Sequence, residues 1–380
     1  MNKRLFIIIA LAATFMAAKA QDWRVTITKT DGTTVELLTS EIASMTFDEA
    51  EEQRLPDSNA DQLLIKEIYN GGCQKDDGSG NFHFDKCVII YNNSPRQVVA
   101  NNLCLGIAAP YNAEATNRNY DTATGRLNYE SEGFTPVIHT LAYYPHTLVV
   151  EPFSQVVVNI CGAIDNTKTV SASVNYADPS YYCFYDPEAG YTHTSYYPAP
   201  SELIPTSHYW RGIMLGQGTG WTFSNVSPAV LLFQTVDTTP QDFAHDAANY
   251  WFDGGNDGNN IYRCLKVPND WIIDGVEVFN REKMDACTKR LTAAVDGGYV
   301  ALTHAYGHSL YRNVDQELTE MRPENAGKLV YAYSLGVDSS TDPSGIDAEA
   351  SIALGAHIYY LDSNNSSADF HERQRCSLRK

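Results

Sequence analysis

Asp253-Gly254-Gly255-Asn256-Asp257-Gly258-Asn259-Asn260 gathers carboxylate and amide oxygens on a glycine-rich backbone. A calcium ion requires that donor set and that freedom of the chain, with Asp253 and Asp257 as the charged ligands. The spacing is not an EF-hand, because Gly255 falls at a ligand position and Cys264 stands where a bidentate Glu is needed. Without a metal, the same residues make an ordinary polar turn. Asp76-Asp77-Gly78-Ser79-Gly80-Asn81 reads the same way.

Four residues separate His304 from His308, a spacing that places two imidazoles on one helix face. Val300 to Leu302 reads as a strand, however, and no Glu follows His304, so the H-E-x-x-H zinc pattern is absent. Gly216-Gln217-Gly218-Thr219-Gly220 lacks the dinucleotide spacing, and Gly307-His308-Ser309-Leu310-Tyr311 misses the nucleophile elbow at its last position. A catalytic pair drawn from distant parts of the chain stays open, since there are 46 acidic residues to choose from.

Two further sets have binding or bonding potential. Trp210, Trp221, Tyr250 and Trp251, beside a tyrosine-rich stretch, supply rings for a surface that stacks on sugars or a partner; the alternative is that they cap the core. Eight cysteines lie beyond residue 20, none as C-x-x-C, which excludes zinc-ribbon and thioredoxin-type motifs. The most local disulfide, Cys73–Cys87, closes a loop of about 15 residues and is worth about 3 kcal/mol by loop entropy. The alternative is buried thiols packed as small apolar groups.

The elements that position these residues lie in a chain of 380 residues with 43% apolar content and a formal charge of −19. That apolar share excludes a disordered chain, and the acidic balance argues against nucleic acid, whose phosphates need clustered Lys and Arg. Residues 1–20 read as a signal peptide: Lys3 and Arg4, an apolar stretch from Leu5 to Met16, then Ala18-Lys19-Ala20 for cleavage. No later apolar run approaches the length of a membrane-spanning helix, so no transmembrane segment is expected after cleavage. The address is the periplasm, the cell surface or the medium.

Residues 21–47 read as a small hairpin element, with Trp23, Val25 and Ile27 alternating, Asp31-Gly32 turning, and Val35 and Leu37 resuming. Residues 48–60 form an acidic linker. From residue 61, short β-branched or aromatic runs punctuated by Gly, Asn, Asp and Pro predict strands. These are Leu63–Tyr69, Cys87–Tyr91, Leu103–Ile107, Gln155–Ile160, Ala229–Val236, Trp271–Phe279, Tyr299–Thr303 and Leu329–Tyr333. Gln241–Trp251 and Arg281–Val295 carry helical periodicity. Residues 176–209 hold five prolines and predict a long irregular insertion.

Ile65-Lys66-Glu67-Ile68-Tyr69-Asn70-Gly71-Gly72, Asp85-Lys86-Cys87-Val88-Ile89-Ile90-Tyr91-Asn92-Asn93-Ser94 and Val98 to Gly106 together resemble the opening of a lamin-tail-type, immunoglobulin-like sandwich. More closely, with Trp271 to Phe279, Val295 to Tyr299 and Asp362 to Phe370, they resemble a family of exported Bacteroidetes proteins of unknown function. The hairpin element is similar to one that opens many exported proteins of these bacteria. Lamin tails usually carry an acid where Ile89 or Ile90 stands.

The resemblance implies a mainly β, antiparallel lamin-tail-like sandwich over residues 61–375, with the long insertion and few short helices. It also implies a cell-envelope protein working beside an outer-membrane receptor. The leading functional expectation is a non-catalytic binding or assembly module whose partner is an envelope protein or a surface glycan. A secreted hydrolase of glycans or peptides and divalent-metal capture, with calcium the candidate cofactor, are the alternatives.

Overall fold

Runs such as Val88-Ile89-Ile90, Val156-Val157-Val158 and Val230-Leu231-Leu232-Phe233 are apolar at every position, which marks strands covered on both faces. The computed structural model of the chain describes residues 23–28, 33–45, 54–138, 140–190, 196–214, 220–221, 223–252, 263–338 and 340–379. The chain divides at residue 53 into two units. The signal stretch, most of the acidic stretch before residue 54, and Asp253 and Asp257 lie outside the described residues.

The first unit contains an antiparallel hairpin, Arg24–Thr28 with Thr34–Leu38, in the register Arg24↔Leu38. Its apolar side chains Trp23, Ile27 and Val35 are exposed.

The second unit is built on one sheet of twelve strands, numbered here in chain order. They are β1 (Leu63–Tyr69), β2 (Lys86–Asn92), β3 (Leu103–Ile107), β4 (Thr140–Tyr143), β5 (Gln155–Cys161) and β6 (Tyr182–Phe184). The second six are β7 (Tyr209–Met214), β8 (Ala229–Gln234), β9 (Ile272–Asn280), β10 (Val300–Leu302), β11 (Ser309–Arg312) and β12 (Phe370–Arg373). The spatial order is β10-β9-β8-β3-β4-β7-β6-β5-β2-β1-β11-β12. The protein is thus mainly β with a few short helices, the longest of the α type being six residues. Among the described residues no helix is long and apolar enough to cross a membrane.

Side chains of successive residues leave a strand on opposite faces, so each strand feeds two cores. In β2, Val88 and Ile90 join the main core, while Cys87 and Ile89 enter a second cluster with Tyr176 and Cys376, and Tyr91 a third with Ile358 and Tyr360. In β8, Val230 and Leu232 face the main core, and Leu231 and Phe233 meet Phe243, Leu265 and Leu291. Segments outside the large sheet therefore cover its second face.

The sheet is mixed, which corrects the expectation of an all-antiparallel one. β6 runs parallel to both β5 and β7, and β10 runs parallel to β9. The β6 strand also corrects the reading of residues 176–209 as wholly irregular. Pro179 and Pro187 bracket it, leaving a proline-free window that pairs in mid-sheet. Gln241–Trp251 holds only a helical turn and a half, Pro240–His245 and Ala247–Asn249, before Tyr250–Phe252 becomes a strand. Arg281–Val295 is helical only to Ala286: the Arg290 and Leu291 N–H groups donate to the Glu277 carboxylate instead of to a helix ladder. Leu329–Tyr333 forms no strand; the Val330 N–H donates to Ser351 Oγ.

The two ends of the sheet come together, β9 beside β1 and β10 beside β12. Side chains bond them. Asp274 Oδ2 on β9 accepts the Ile65 N–H of β1 at 2.7 Å and also the guanidinium of Arg312 on β11, whose Nε donates to the Ile65 carbonyl at 2.8 Å. Glu372 on β12 accepts Arg281 Nε at 2.6 Å and the Thr303 N–H at 2.9 Å. A third buried pair, Glu277 with Arg290 at 2.6 Å, fastens the chain after β9 to the Ser227 and Pro110 carbonyls.

All eight cysteines carry free thiols, so the Cys73–Cys87 bridge is not formed. Cys87 faces the cluster of Ile89, Tyr176 and Cys376, whereas Cys73 packs with Phe82 and Val170. Loop length favoured the pair, but their side chains enter different clusters.

Replacing Glu277 by Ala leaves the Arg290 guanidinium buried without its carboxylate and is expected to lower the unfolding free energy by about 3–5 kcal/mol in urea titrations. Removing the exposed Lys168 partner of Asp165 should change it by less than about 0.5 kcal/mol. In native protein, iodoacetamide is expected to modify half-buried Cys287 first, with the seven buried thiols reacting only after unfolding, as read by intact mass.

Candidate functional site

Lys86 opens β2 and is 3% exposed. It stands opposite Cys161, where β5 carries a bulge between Asn159 and Cys161. A bulge inserts one residue and re-aims its neighbours. The Asn159 amide fixes it by donating to the carbonyls of Lys86 at 3.2 Å and Cys161 at 2.9 Å. Gly162 follows at φ +75°, where a Cβ would meet the Phe84 carbonyl at 2.1 Å, so the close crossing needs glycine.

The chain beyond β6 then returns to this end of the sheet. The Gly162 N–H donates to the Tyr196 carbonyl at 3.1 Å, and the Tyr196 ring lies 5.7 Å from Lys86 Nζ. Tyr197 Oη is tied twice to the Trp221 backbone, accepting the N–H at 2.8 Å and donating to the carbonyl at 3.0 Å. Trp221 packs edge-on to Phe223 at 5.6 Å, and Lys86 Nζ donates to the Phe223 carbonyl at 2.6 Å.

These residues, with Tyr111, Asn112, Ile160, Cys161, Ser224 and Asn225, wall a cavity of about 380 Å³. Its size and its mixture of rings with a few polar groups are those of a small-molecule site. Lys86 is the one charged residue among the described lining residues. Burial pulls the Lys86 ammonium below the ordinary lysine range. Burial also pushes the Cys161 thiol up to about 12, so it stays protonated and is not poised as a nucleophile. Beside Lys86, Asp85 is raised to about 6 by burial, which the hydrogen bond from Ser173 opposes.

Of the four aromatics singled out from the sequence, Trp221 lines the cavity. Trp210 is wholly buried in the main core, where its partner across the strands, Phe184, packs 5.2 Å from Trp221. Tyr250 and Trp251 lie on a separate three-stranded sheet, with Arg263 over the Tyr250 ring and Phe134 5.2 Å from Trp251. The structure thus brings one of the four to the cavity, joins a second to it through Phe184, and uses the other two elsewhere. Among the described residues no group of three or more His, Cys, Asp or Glu is arranged to hold a metal. His308 Nδ1 instead meets the Glu372 carboxylate at 2.7 Å. Sequence reasoning missed Lys86, although a lysine heading a wholly apolar strand was a visible signal.

Residues 151–332 match the family described as "Protein of unknown function (DUF4876)". A crystal structure of a DUF4876 family protein from Bacteroides thetaiotaomicron is similar to this chain, with a TM-score of 0.58 at 18% identity over 82% of this chain and 70% of that one. At that identity the likeness is one of fold. No curated protein matches the sequence. These findings agree with the coarse part of the sequence resemblance, a family of unknown function with a structural relative in a Bacteroides species.

Asp85 gives this end of the sheet a pH signature. Its folded pKa of about 6 lies above the ordinary 3.8, so the folded state holds the proton more tightly. Its contribution to stability is therefore full below pH 4 and is lost as pH rises to about 6. Asp85→Asn removes this component, and the slope of unfolding free energy against pH between 4 and 6 should become more positive by up to about 1.4 kcal/mol per pH unit. Urea titrations of both proteins at matched pH measure it.

Proposed function

We propose that the protein is a non-catalytic binding module of a bacterial cell envelope whose ligand is a small sugar held in the cavity above Lys86. The observation that carries this reading is the cavity itself: about 380 Å³, walled by Tyr196, Tyr197, Trp221 and Phe223, with one cation at its base. Flat rings accept the C–H faces of a pyranose, and Asn112, Ser224 and Asn225 offer amide and hydroxyl groups to its oxygens. The neutral Cys161 thiol fits binding better than covalent chemistry.

Export through residues 1–20 completes the proposal, followed by a hairpin element, an acidic linker and a lamin-tail-like sandwich over residues 61–375. The meeting of β9 with β1 and of β10 with β12 around one main core supports the sandwich. Handing a ligand to an outer-membrane receptor is the accessory role that the family resemblance implies.

A panel of neutral and acidic monosaccharides, followed by thermal unfolding, tests the reading. At least one should raise the Tm in a concentration-dependent way. Tyr111→Ala, at an exposed wall of the cavity, should weaken that sugar about fivefold while leaving the unliganded Tm unchanged. A panel that leaves the Tm flat sinks the proposal.

A further inference from the structure

Two buried lysines in this protein lie over tyrosine rings, and only one of them has a carboxylate at ion-pair distance among the described residues. Lys66 Nζ has the rings of Tyr91, Tyr311 and Tyr360 between 5.4 and 5.9 Å away and a carboxylate, Glu349 Oε1, at 2.6 Å. Lys86 Nζ has the Tyr196 ring and the Phe223 carbonyl, but among the described residues no carboxylate within ion-pair distance. The other deeply buried cations described above are paired: Arg290 with Glu277 at 2.6 Å, and Arg312 with Asp274. An ammonium is costly to bury without a counter-charge, and one neutral carbonyl does not replace a carboxylate. The cavity lies where Lys86 lacks its partner.

A second observation points to the same place. Trp221 lines the cavity, and its indole N–H is buried with no acceptor among the described residues. Among the described lining residues the cavity thus has one lysine, a tryptophan whose donor is unused, and no acid, in a chain whose formal charge is −19. The segments that adjoin it in sequence, 191–195 and 215–219, contain no Asp or Glu either.

Building on the sugar-binding reading, we infer that the ligand is a carboxylate-bearing sugar, a uronic acid, whose carboxylate takes beside Lys86 the place that Glu349 holds beside Lys66. The Trp221 N–H donates to an oxygen of the same ligand, and the pyranose ring lies against Tyr196 and Tyr197.

Calorimetric titration of the full chain at pH 7 with D-glucuronate, its neutral methyl ester and D-glucose tests this. Glucuronate is expected to bind about tenfold tighter than either neutral compound, the margin of a hydrogen bond to a charged group. Lys86→Met should bring all three to a similar affinity. Equal binding of glucuronate and its ester by the unaltered protein overturns the inference and leaves the sugar-binding reading standing. A preference for glucuronate that survives in Lys86→Met also overturns it, because another residue then supplies the charge. If none of the three binds, the inference falls, and the monosaccharide panel decides the sugar-binding reading by itself. Should Lys86→Met not fold, the comparison of acid with ester on the unaltered protein still decides.

Discussion

The Asp274 carboxylate sits where the two ends of a twelve-stranded sheet meet, and the main core depends on it. A strand edge presents N–H and C=O groups that need partners, and burying them unpaired is costly. β1 is bulged between Ile65 and Glu67, so the N–H and C=O of Ile65 are left to other groups. Asp274 takes the N–H, Arg312 takes the carbonyl, and the two side chains bond each other. Glu372 repeats the device at the β10–β12 contact, with a backbone N–H on one oxygen and a guanidinium on the other. Ionic side chains thus complete the closure where ladder geometry fails, so apolar residues from both ends of the sheet share one core.

The same sheet also positions the cavity. Its floor is the bulge of β5 against the first residue of β2, locked by Asn159 from within the sheet. Part of its wall is Tyr196 and Tyr197, the latter tied back onto the Trp221 backbone. Lys86 is kept by this framework and not by an ion pair, which separates it from Lys66, Arg290 and Arg312. The residues that wall the cavity with rings also bring a lysine to it with a carbonyl, and no carboxylate, as its bonded partner.

Much of the sheet was legible in the sequence because its central strands are apolar on both faces: β1, β2, β3, β5, β8 and β9 stand where β-branched runs predict them. β11 and β12 were not, since Ser309, Arg312, His371 and Glu372 are buried through hydrogen bonds and ion pairs, and Arg373 over the Tyr311 ring, none of which a hydropathy pattern signals. β6 was hidden by the prolines around it, and the 281–295 helix was a false reading because Leu291 and Val295 meet a core from an irregular segment. The cavity was legible only in Trp221. Its cation was concealed because a lysine in an apolar run reads as a strand boundary until its neighbours in space are known.

The pairing of β1 with β11, and of β11 with β12, has a consequence for how the chain matures. β1 lies near residue 65 and β12 ends at Arg373, so the sheet joins segments some three hundred residues apart in sequence. Such non-local pairing is slow to form, and it cannot be attempted before synthesis has passed residue 373. A nascent chain stalled or cleaved shortly before residue 370 would present an unfinished edge at β11 and lack the carboxylate of Glu372. The edge at β11 is therefore covered only once β12 has arrived, however early β1 was made.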